Sequence, residues 1–253
     1  MLEDGVGVDL FDRRRGKVLL TPEGERFAAA VREALQLIST AAEQIRNRTS
    51  SNDLVISALP SMAQCWLVPR LPRLRKLLPG VRINVHTGYD HINFLRDRID
   101  VVLKFGLNNY PGGDGQFLMS EAMFPVCAAS LVASGAAPTV PADLRGHTLL
   151  ETFDPRWGDW LTLAALPGLD SQAQIRLRDP SMVLQAAAEG QGIAMARKVL
   201  AHDDIASGKL VRLFDLELTH PHAYWIVTPK GTRDDARMRI FRQWLHAEAA
   251  AMA

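Results

Sequence analysis

Apolar residues recur at Ala28, Val31, Leu35, Ile38, Ala42 and Ile45, with spacings that alternate between three and four. No other pattern in the chain restricts its folding as tightly. Such a seam lays one narrow apolar stripe along a helix and leaves Arg32, Glu33, Glu43 and Arg46 on the other faces. Thr21-Pro22-Glu23 opens the helix with a capping hydroxyl, a proline at the first helical position and an acid at the positive end of the dipole. A helix of about 25 residues is roughly 37 Å long. An ordinary amphipathic helix lying on its own domain is the alternative, but its stripe would be broader. The spacing points to a partner helix. The seam runs into Asn47-Arg48-Thr49-Ser50-Ser51-Asn52, a polar stretch without a large apolar residue, which marks a domain boundary.

Beyond Asp53 the pattern changes to alternating strands and helices. Leu54 to Leu59 reads as a buried strand, and Leu67, Leu71, Leu74 and Leu78 as a helical stripe that stops at Pro79-Gly80. Val81, Ile83 and Val85 alternate as a second strand, and Ile99 to Phe105 form a third, followed by a Gly-rich loop from Gly106 to Gly115. A second block starts at Met123 to Cys127. It continues with a strand near Thr148 to Leu150, a helix near Trp157 to Leu166 and a strand near Gln174 to Leu177. A helix then opens at Asp179-Pro180 and closes at Gly190, before strands at Ile193 to Met195 and Ala223 to Val227. Met238, Phe241, Trp244 and Leu245 put an apolar stripe on a terminal helix. The repeated β–α–β order argues for a largely parallel, helix-covered sheet, built as two α/β lobes joined by more than one crossover with a cleft between them.

Ahead of the seam, residues 10 to 21 place Arg13, Arg14, Arg15 and Lys17 around Gly16 between apolar ends, as short strands flanking a turn would. A solvated hairpin tip and a device for reaching a phosphate backbone both fit. Over the 253 residues, 29 Lys and Arg stand against 28 Asp and Glu, a formal charge of +1. That balance gives no global field, so a nucleic-acid role must rest on a local patch. Cys65 and Cys127 lack CxxC or metal-ligand spacing and suit a reducing cytosol. The start has no basic region followed by an apolar one, which argues against a signal peptide. The uncharged run from Ala122 to Ala142 is broken by Pro125, Gly135, Pro138 and Pro141, which argues against a membrane span. A soluble, cytoplasmic protein is expected.

No catalytic motif is present: no GxSxG elbow, no HExxH and no phosphate loop, while Gly190-Gln191-Gly192 lacks the third glycine of a dinucleotide fingerprint. His220-Pro221-His222 is a weak metal candidate, so no metal and no cofactor are expected. The pairs Asp203-Asp204 and Asp234-Asp235 read as solvated helix surface. Ligand binding has more support. Leu59-Pro60-Ser61-Met62 runs from a strand into a helix N-terminus with free N–H groups and a hydroxyl, a cradle for an anionic or polar group. Asp179-Pro180-Ser181-Met182 repeats it in the other lobe. Simple capping is the alternative for each.

Leu10-Phe11-Asp12-Arg13-Arg14 and Leu20-Thr21-Pro22-Glu23-Gly24 resemble the wing and linker-helix start of LysR-type transcriptional regulators. Trp66-Leu67-Val68-Pro69-Arg70-Leu71 resembles the helix after the family's first effector-domain strand, and Leu184 to Ala194 its glycine-rich AAxxGxGIA segment. Ala223 to Val227 and Trp244-Leu245 resemble the subgroup of glycine-cleavage activators and β-lactamase regulators. The resemblance implies a remnant of a winged helix-turn-helix over residues 1–21, in which Met1-Leu2-Glu3 is the very end of the recognition helix. It also implies a linker and dimerisation helix over 22–48, antiparallel to its partner, and an effector-binding domain over 53–253. That domain is α/β and like periplasmic solute-binding proteins, with lobe I at about 53–107 and 222–253 and lobe II at about 120–216. Carried over by position, the effector cleft is lined by Ser61, Met62, Phe105, Gly106, Thr152, Ser181 and Tyr224, and DNA phosphates are met by Arg13, Arg14, Arg15 and Lys17. The expected partners are DNA, a small polar or anionic metabolite, further copies of the chain as a dimer or tetramer, and RNA polymerase. No residue is expected to be catalytic. The competing reading is a stand-alone cytoplasmic solute-binding protein of the same fold without DNA-reading function.

Overall fold

The computed structural model describes the chain except residues 1, 13–17, 48–51, 90, 91, 93, 154–156, 170–172, 233, 234 and 253, and except the side chains of 37, 40, 41, 43–47, 95, 96, 173 and 174. The wing candidates Arg13, Arg14, Arg15 and Lys17 therefore lie outside the described residues, as does the side chain of Ile45. The chain divides into two compact units, Met1–Asn52 with Ile92–Ile99, and Asp53–His91 with Asp100–Ala253.

In the first unit a short helix α1 (Leu2–Val6) precedes two short strands, β1 (Phe11–Asp12) and β2 (Leu19–Leu20), which pair antiparallel with Phe11 opposite Leu20. Glu3 ties the start of this hairpin down, its Oε1 accepting the N–H groups of Leu10 and Phe11 at 2.8 and 3.0 Å. Helix α2 (Pro22–Asn47) then starts where the cap predicts: Thr21 Oγ1 accepts the Gly24 N–H at 2.9 Å and donates to the Asp9 carbonyl at 2.8 Å. Only glycine fits at 24, because a Cβ there would lie 2.0 Å from the Leu10 carbonyl oxygen. The glycine lets the buried Leu10 press directly on the first turn of α2. Farther along, the seam is open in the single chain, with Leu35 59% and Ile38 65% exposed.

The second unit opens with β3 (Asp53–Ala58). Helix α3 (Pro60–Met62) follows and runs through a π-helical turn, Ala63–Leu67, into α4 (Val68–Leu77) without leaving right-handed helical dihedrals at either junction. Next come β4 (Arg82–Thr87), α5 (Phe94–Asp97), which belongs to the first unit and packs on α2, and β5 (Val101–Gly106). The long β6 (Gly113–Ala128), α6 (Ala129–Ala133), β7 (Leu149–Glu151), α7 (Trp157–Leu163) and β8 (Ala173–Arg176) continue the unit. It ends with α8 (Pro180–Ala188), β9 (Ile193–Arg197), α9 (Lys198–Ala206), β10 (Leu210–Arg212), β11 (Leu218–Pro229) and α10 (Ala236–Ala250).

The strands form one sheet of nine in the order β4-β3-β5-β11-β6-β9-β7-β8, with β10 also on β6. The expectation of a largely parallel sheet needs correcting. The flanks are parallel (β4-β3-β5 and β9-β7-β8), but β11 runs antiparallel to both β5 and β6, and β6 antiparallel to β9 and β10. Alternation of strand and helix reports the crossovers of the flanks and is blind to two long strands that return across the middle. The strand expected to begin at Met123 begins at Gly113, because Gly113 and Gly115, read as loop, sit in the ladder; a Cβ at 115 would strike Asn108 Oδ1 at 2.3 Å.

Strands β6 and β11 pass through both lobes. Ser120 to Gly113 pair with Ala223 to Pro229, whereas Ala122 and Met123 pair with Thr219 and Leu218, and a bulge at 220–222 separates the two stretches. Pro221 is tolerated there because a bulge leaves a residue off the ladder. On one side of this crossing the core gathers Ile56, Trp66, Leu103, Ile226, Phe241 and Trp244; on the other lie Phe124, Val126, Leu184 and Leu200, with a further cluster around Trp157 and Trp160. The uncharged run from Ala122 to Ala142 is the second half of β6, α6 and the turn after it, and among the described residues no helix is long and apolar enough to cross a membrane.

Two surface expectations also change. Asp203 is not simply solvated: both its oxygens take the Arg70 guanidinium, at 2.7 and 2.8 Å, across the two lobes. Asp235 caps α10 by accepting the Met238 N–H at 2.8 Å, and Asp234 lies outside the described residues. Adjacent carboxylates look alike in sequence whatever faces them.

Candidate functional site

The two helix N-termini singled out by sequence, at Ser61 and Ser181, come together where the lobes meet, Ser181 Oγ lying 3.2 Å from Gln64 Oε1 on the π-helical turn. They are not equivalent. At α8 the Asp179 side chain already fills the N-terminus: Oδ1 accepts the Ser181 N–H at 2.8 Å and lies 2.6 Å from Ser181 Oγ. The hydroxyl has one proton and gives it to the nearer carboxylate. Oδ2 accepts the Tyr89 hydroxyl from the facing lobe. The expected second anion cradle is therefore corrected: an acid occupies it, as N-cap chemistry favours.

At α3 the cradle is open. Leu59, in the cap position, offers no side-chain acceptor. Ser61 and Met62 beside it are both buried.

Phe105 closes the end of β5. The Arg197 guanidinium sits 3.9 Å above its ring, His220 and His222 meet it edge-on, and Tyr224 packs behind it at 4.8 Å. Gly106 has φ +147°, a conformation that L side chains rarely adopt, and its carbonyl accepts the Trp225 indole N–H at 2.9 Å. Thr152 is buried just past β7. Tyr224 is buried, with its hydroxyl donated to Glu121 Oε2 at 3.0 Å. His220 Nδ1 accepts the His222 N–H, which uses a lone pair that a metal would need.

Sequence reasoning missed Gln64, Tyr89, Arg197 and Glu121. Glu121 did leave a signal, being the charge that ends the uncharged run on its N-terminal side. It sits at the crossing of β6 between lobes, accepting the N–H groups of Ala122 (2.9 Å) and Val199 (3.1 Å) through Oε1. Burial pushes its carboxyl up to about 7, against the opposing pull of those N–H groups, the Arg197 charge and the Tyr224 hydroxyl. Because the folded value lies above the unfolded one of 4.5, the native state holds the proton more tightly. The stability this contributes is complete below about pH 4.5 and is lost as pH rises towards 7. Glu121→Gln keeps an acceptor for both N–H groups, so it should gain about 3 kcal/mol on wild type between pH 4 and pH 8, as read by denaturant melts. An equal offset at both pH values would show that Glu121 titrates normally.

Residues 47–250 match the family described as the LysR substrate binding domain. The chain belongs to the LysR family of transcriptional regulators. Over 99% of its length it is 35% identical to the glycine cleavage system transcriptional activator of Escherichia coli (strain K12), covering 82% of that protein. The effector domain of the transcriptional regulator AmpR of Pseudomonas aeruginosa superposes on 79% of this chain and 96% of its own, with a TM-score of 0.65 at 26% identity. CrgA, a LysR-type regulator from Neisseria meningitidis, covers 98% of this chain and 86% of its own with a TM-score of 0.65; at 21% identity that likeness is one of fold. In this LysR-type regulator the sheet described above is the two-lobe effector-binding fold of the family, and its relatives are regulators rather than enzymes.

Proposed function

We propose that this LysR-type regulator senses a small polar metabolite in the cleft between its lobes. The observation that carries the reading is the meeting of the α3 and α8 N-termini where the lobes join, with no side-chain acceptor in the cap position of α3. Free N–H groups and a hydroxyl at a helix N-terminus favour a ligand group that accepts from them. Ser61, Met62, Phe105 and Gly106 line the cleft on one side, with Thr152 and Ser181 on the other. Tyr224 acts from behind, by holding Phe105 and Glu121. Residues 1–21 serve as the wing, with Arg13, Arg14, Arg15 and Lys17 on DNA phosphates. Residues 22–48 link and dimerise, the open seam on α2 being what a second copy would cover, and 53–253 bind the effector. A tetramer, contact with RNA polymerase and residence in the cytoplasm belong to the same reading.

A thermal-shift screen of small carboxylates, amino acids and sugar phosphates supplies the test. Any hit should bind Ser61→Ala more weakly by about 0.5–1.5 kcal/mol, or 1.5–3 kcal/mol if the group on Ser61 is charged, measured by calorimetry. A hit whose affinity is untouched by that substitution binds elsewhere.

A further inference from the structure

Where the chain crosses between lobes, one buried carboxyl is bonded to groups on both sides. Glu121 is 2% exposed and stands opposite the bulge at 220–222. Its Oε1 accepts the N–H groups of Ala122 and of Val199 on α9, which use both lone pairs of that oxygen. Among the described residues the partner of Oε2 is the Tyr224 hydroxyl on β11. The Arg197 guanidinium, at the end of β9 in the second lobe, also hydrogen-bonds the Tyr224 hydroxyl, and it is the charge that acts on Glu121. His220 and His222, on the same strand as Tyr224, lie beyond the Phe105 ring. The other elements packed on β6 direct their charges elsewhere. On α9, Lys198 faces Glu217, Asp203 faces Arg70 with His202 beside it, and Asp204 faces Lys209. Arg212 of β10 pairs with Glu217, and Asp179 of α8 bonds Ser181 and Tyr89. On α10, Arg237 pairs with Asp100 and Glu248 with Arg73, and His246 is half-buried.

A carboxyl held in this way has one place for a proton. Two donors fill Oε1, so a proton rides on Oε2, where it faces Tyr224. Ionised, Oε2 accepts from the Tyr224 hydroxyl. Neutral, it donates to the Tyr224 oxygen, and the phenolic proton must turn away. Arg197 cannot take that proton, because a guanidinium has only donors. A buried hydroxyl without an acceptor is costly, and the charge on Glu121 that attracted the guanidinium has gone. The contact that gives way is the one between Tyr224 and Arg197. We infer that Glu121 is a proton-operated switch between the lobes: a proton taken up on Oε2 reverses its bond to Tyr224 and releases Tyr224 from Arg197. Burial raises the Glu121 carboxyl to about 7, which puts the change within ordinary working pH. Burial first, and then the Glu121 charge, push the Tyr224 hydroxyl well above its ordinary 10, so it keeps its own proton throughout. At higher pH Arg197 ties the second lobe to the first, and at lower pH the tie is loosened. Acidity is an input in its own right, and the inference does not depend on what the cleft binds.

Nuclear magnetic resonance of the full chain, labelled with carbon-13 at tyrosine Cζ, tests this. The chain has three tyrosines, and each resonance is assigned by its Phe variant. In wild type the Tyr224 resonance should follow one titration with a midpoint at about 7, and the Arg197 Nε–H signal, assigned by Arg197→Lys, should shift with it. Glu121→Gln puts an amide N–H where the acid O–H would stand. Both signals should then keep their low-pH positions between about pH 5 and pH 9. Histidines titrate in the same range, so His220→Gln, His222→Gln and His246→Gln should each leave the midpoint where it is. A Tyr224 resonance that does not move in wild type overturns the inference. So does a titration that survives Glu121→Gln, or an Arg197 signal that stands still while Tyr224 titrates. If Glu121→Gln does not fold, the histidine variants decide. A midpoint kept in all three supports the switch, and one lost in any of them assigns the titration to that histidine and overturns it.

Discussion

Glutamate at both Leu35 and Ile38 should dissociate the dimer proposed to form through α2 while leaving the fold of each chain intact. Both side chains are more than half exposed in the single chain, so neither supports its own unit. In an antiparallel pair of α2 helices each would face its partner's seam, and the double substitution would force four carboxylates into an apolar contact. The cost is several kcal/mol, enough to shift a micromolar dimer to monomers at ordinary working concentrations. Sedimentation equilibrium should show the loss, with the thermal midpoint of the second unit unchanged. A dimer of undiminished strength would place the interface elsewhere, and a collapsed melting curve would mean that the seam packs within one chain.

Arg70 carries the second large effect. Its side chain is nearly inaccessible, and it joins three elements: a two-pronged pair to Asp203 on α9, the Trp66 carbonyl at 3.0 Å, and Glu248 on α10 at 3.6 Å. Glu248 is also held by Arg73 and by the Trp244 indole N–H. Asp203→Ala should cost about 3 kcal/mol, the lower end of the range for a broken buried pair, because Asp203 itself is partly open to water while the guanidinium left behind is not. Arg70→Met removes the buried charge along with its partner's need for it and fills similar volume, so it should cost less. The reverse order in denaturant melts would show that the pair contributes by packing alone. The Arg70 hydrogen bonds hold the Asp203 carboxyl below its ordinary 3.8. A depressed acid contributes stability above its unfolded value and loses it as pH falls through the folded one. Arg70→Met should therefore flatten the acid limb of the stability profile.

The contrast between Asp203 and Asp235 shows how far a sequence can be read for this fold. Local chemistry was legible: Thr21-Pro22 opens α2 and Asp179-Pro180 opens α8 where their caps demand, and Pro79-Gly80 follows the end of α4. These signals lie within a few residues of what they control. What faces an element from far along the chain leaves no such mark. Nothing near Asp203 announces a guanidinium 133 residues away. Nothing near Tyr224 announces that its hydroxyl is spent on Glu121, 103 residues distant. The antiparallel centre of the sheet escaped for the same reason, since alternation within a strand is identical in either pairing direction. At the cleft the residue types at Ser61 and Ser181 were visible. That the Ser181 hydroxyl is already bonded to an acid is a matter of three-dimensional placement.

The lobes are joined by strands where a loop would have been the simpler link, and that choice sets the kind of movement available. A loop hinge turns about free dihedral angles and allows wide jaw-like closure. Here the polypeptide crosses twice as β6 and β11, hydrogen-bonded to each other on either side of the bulge at 220–222. Prying the lobes apart would stretch that ladder, whereas winding it by a small angle keeps every bond, and two-stranded ribbons tolerate a wide range of twist. The ladder is interrupted at this bulge, with Pro221 off the ladder and Glu121 opposite it. A ligand that draws the lobes together would therefore twist this ribbon as a torsion bar sooner than open it as a clamp.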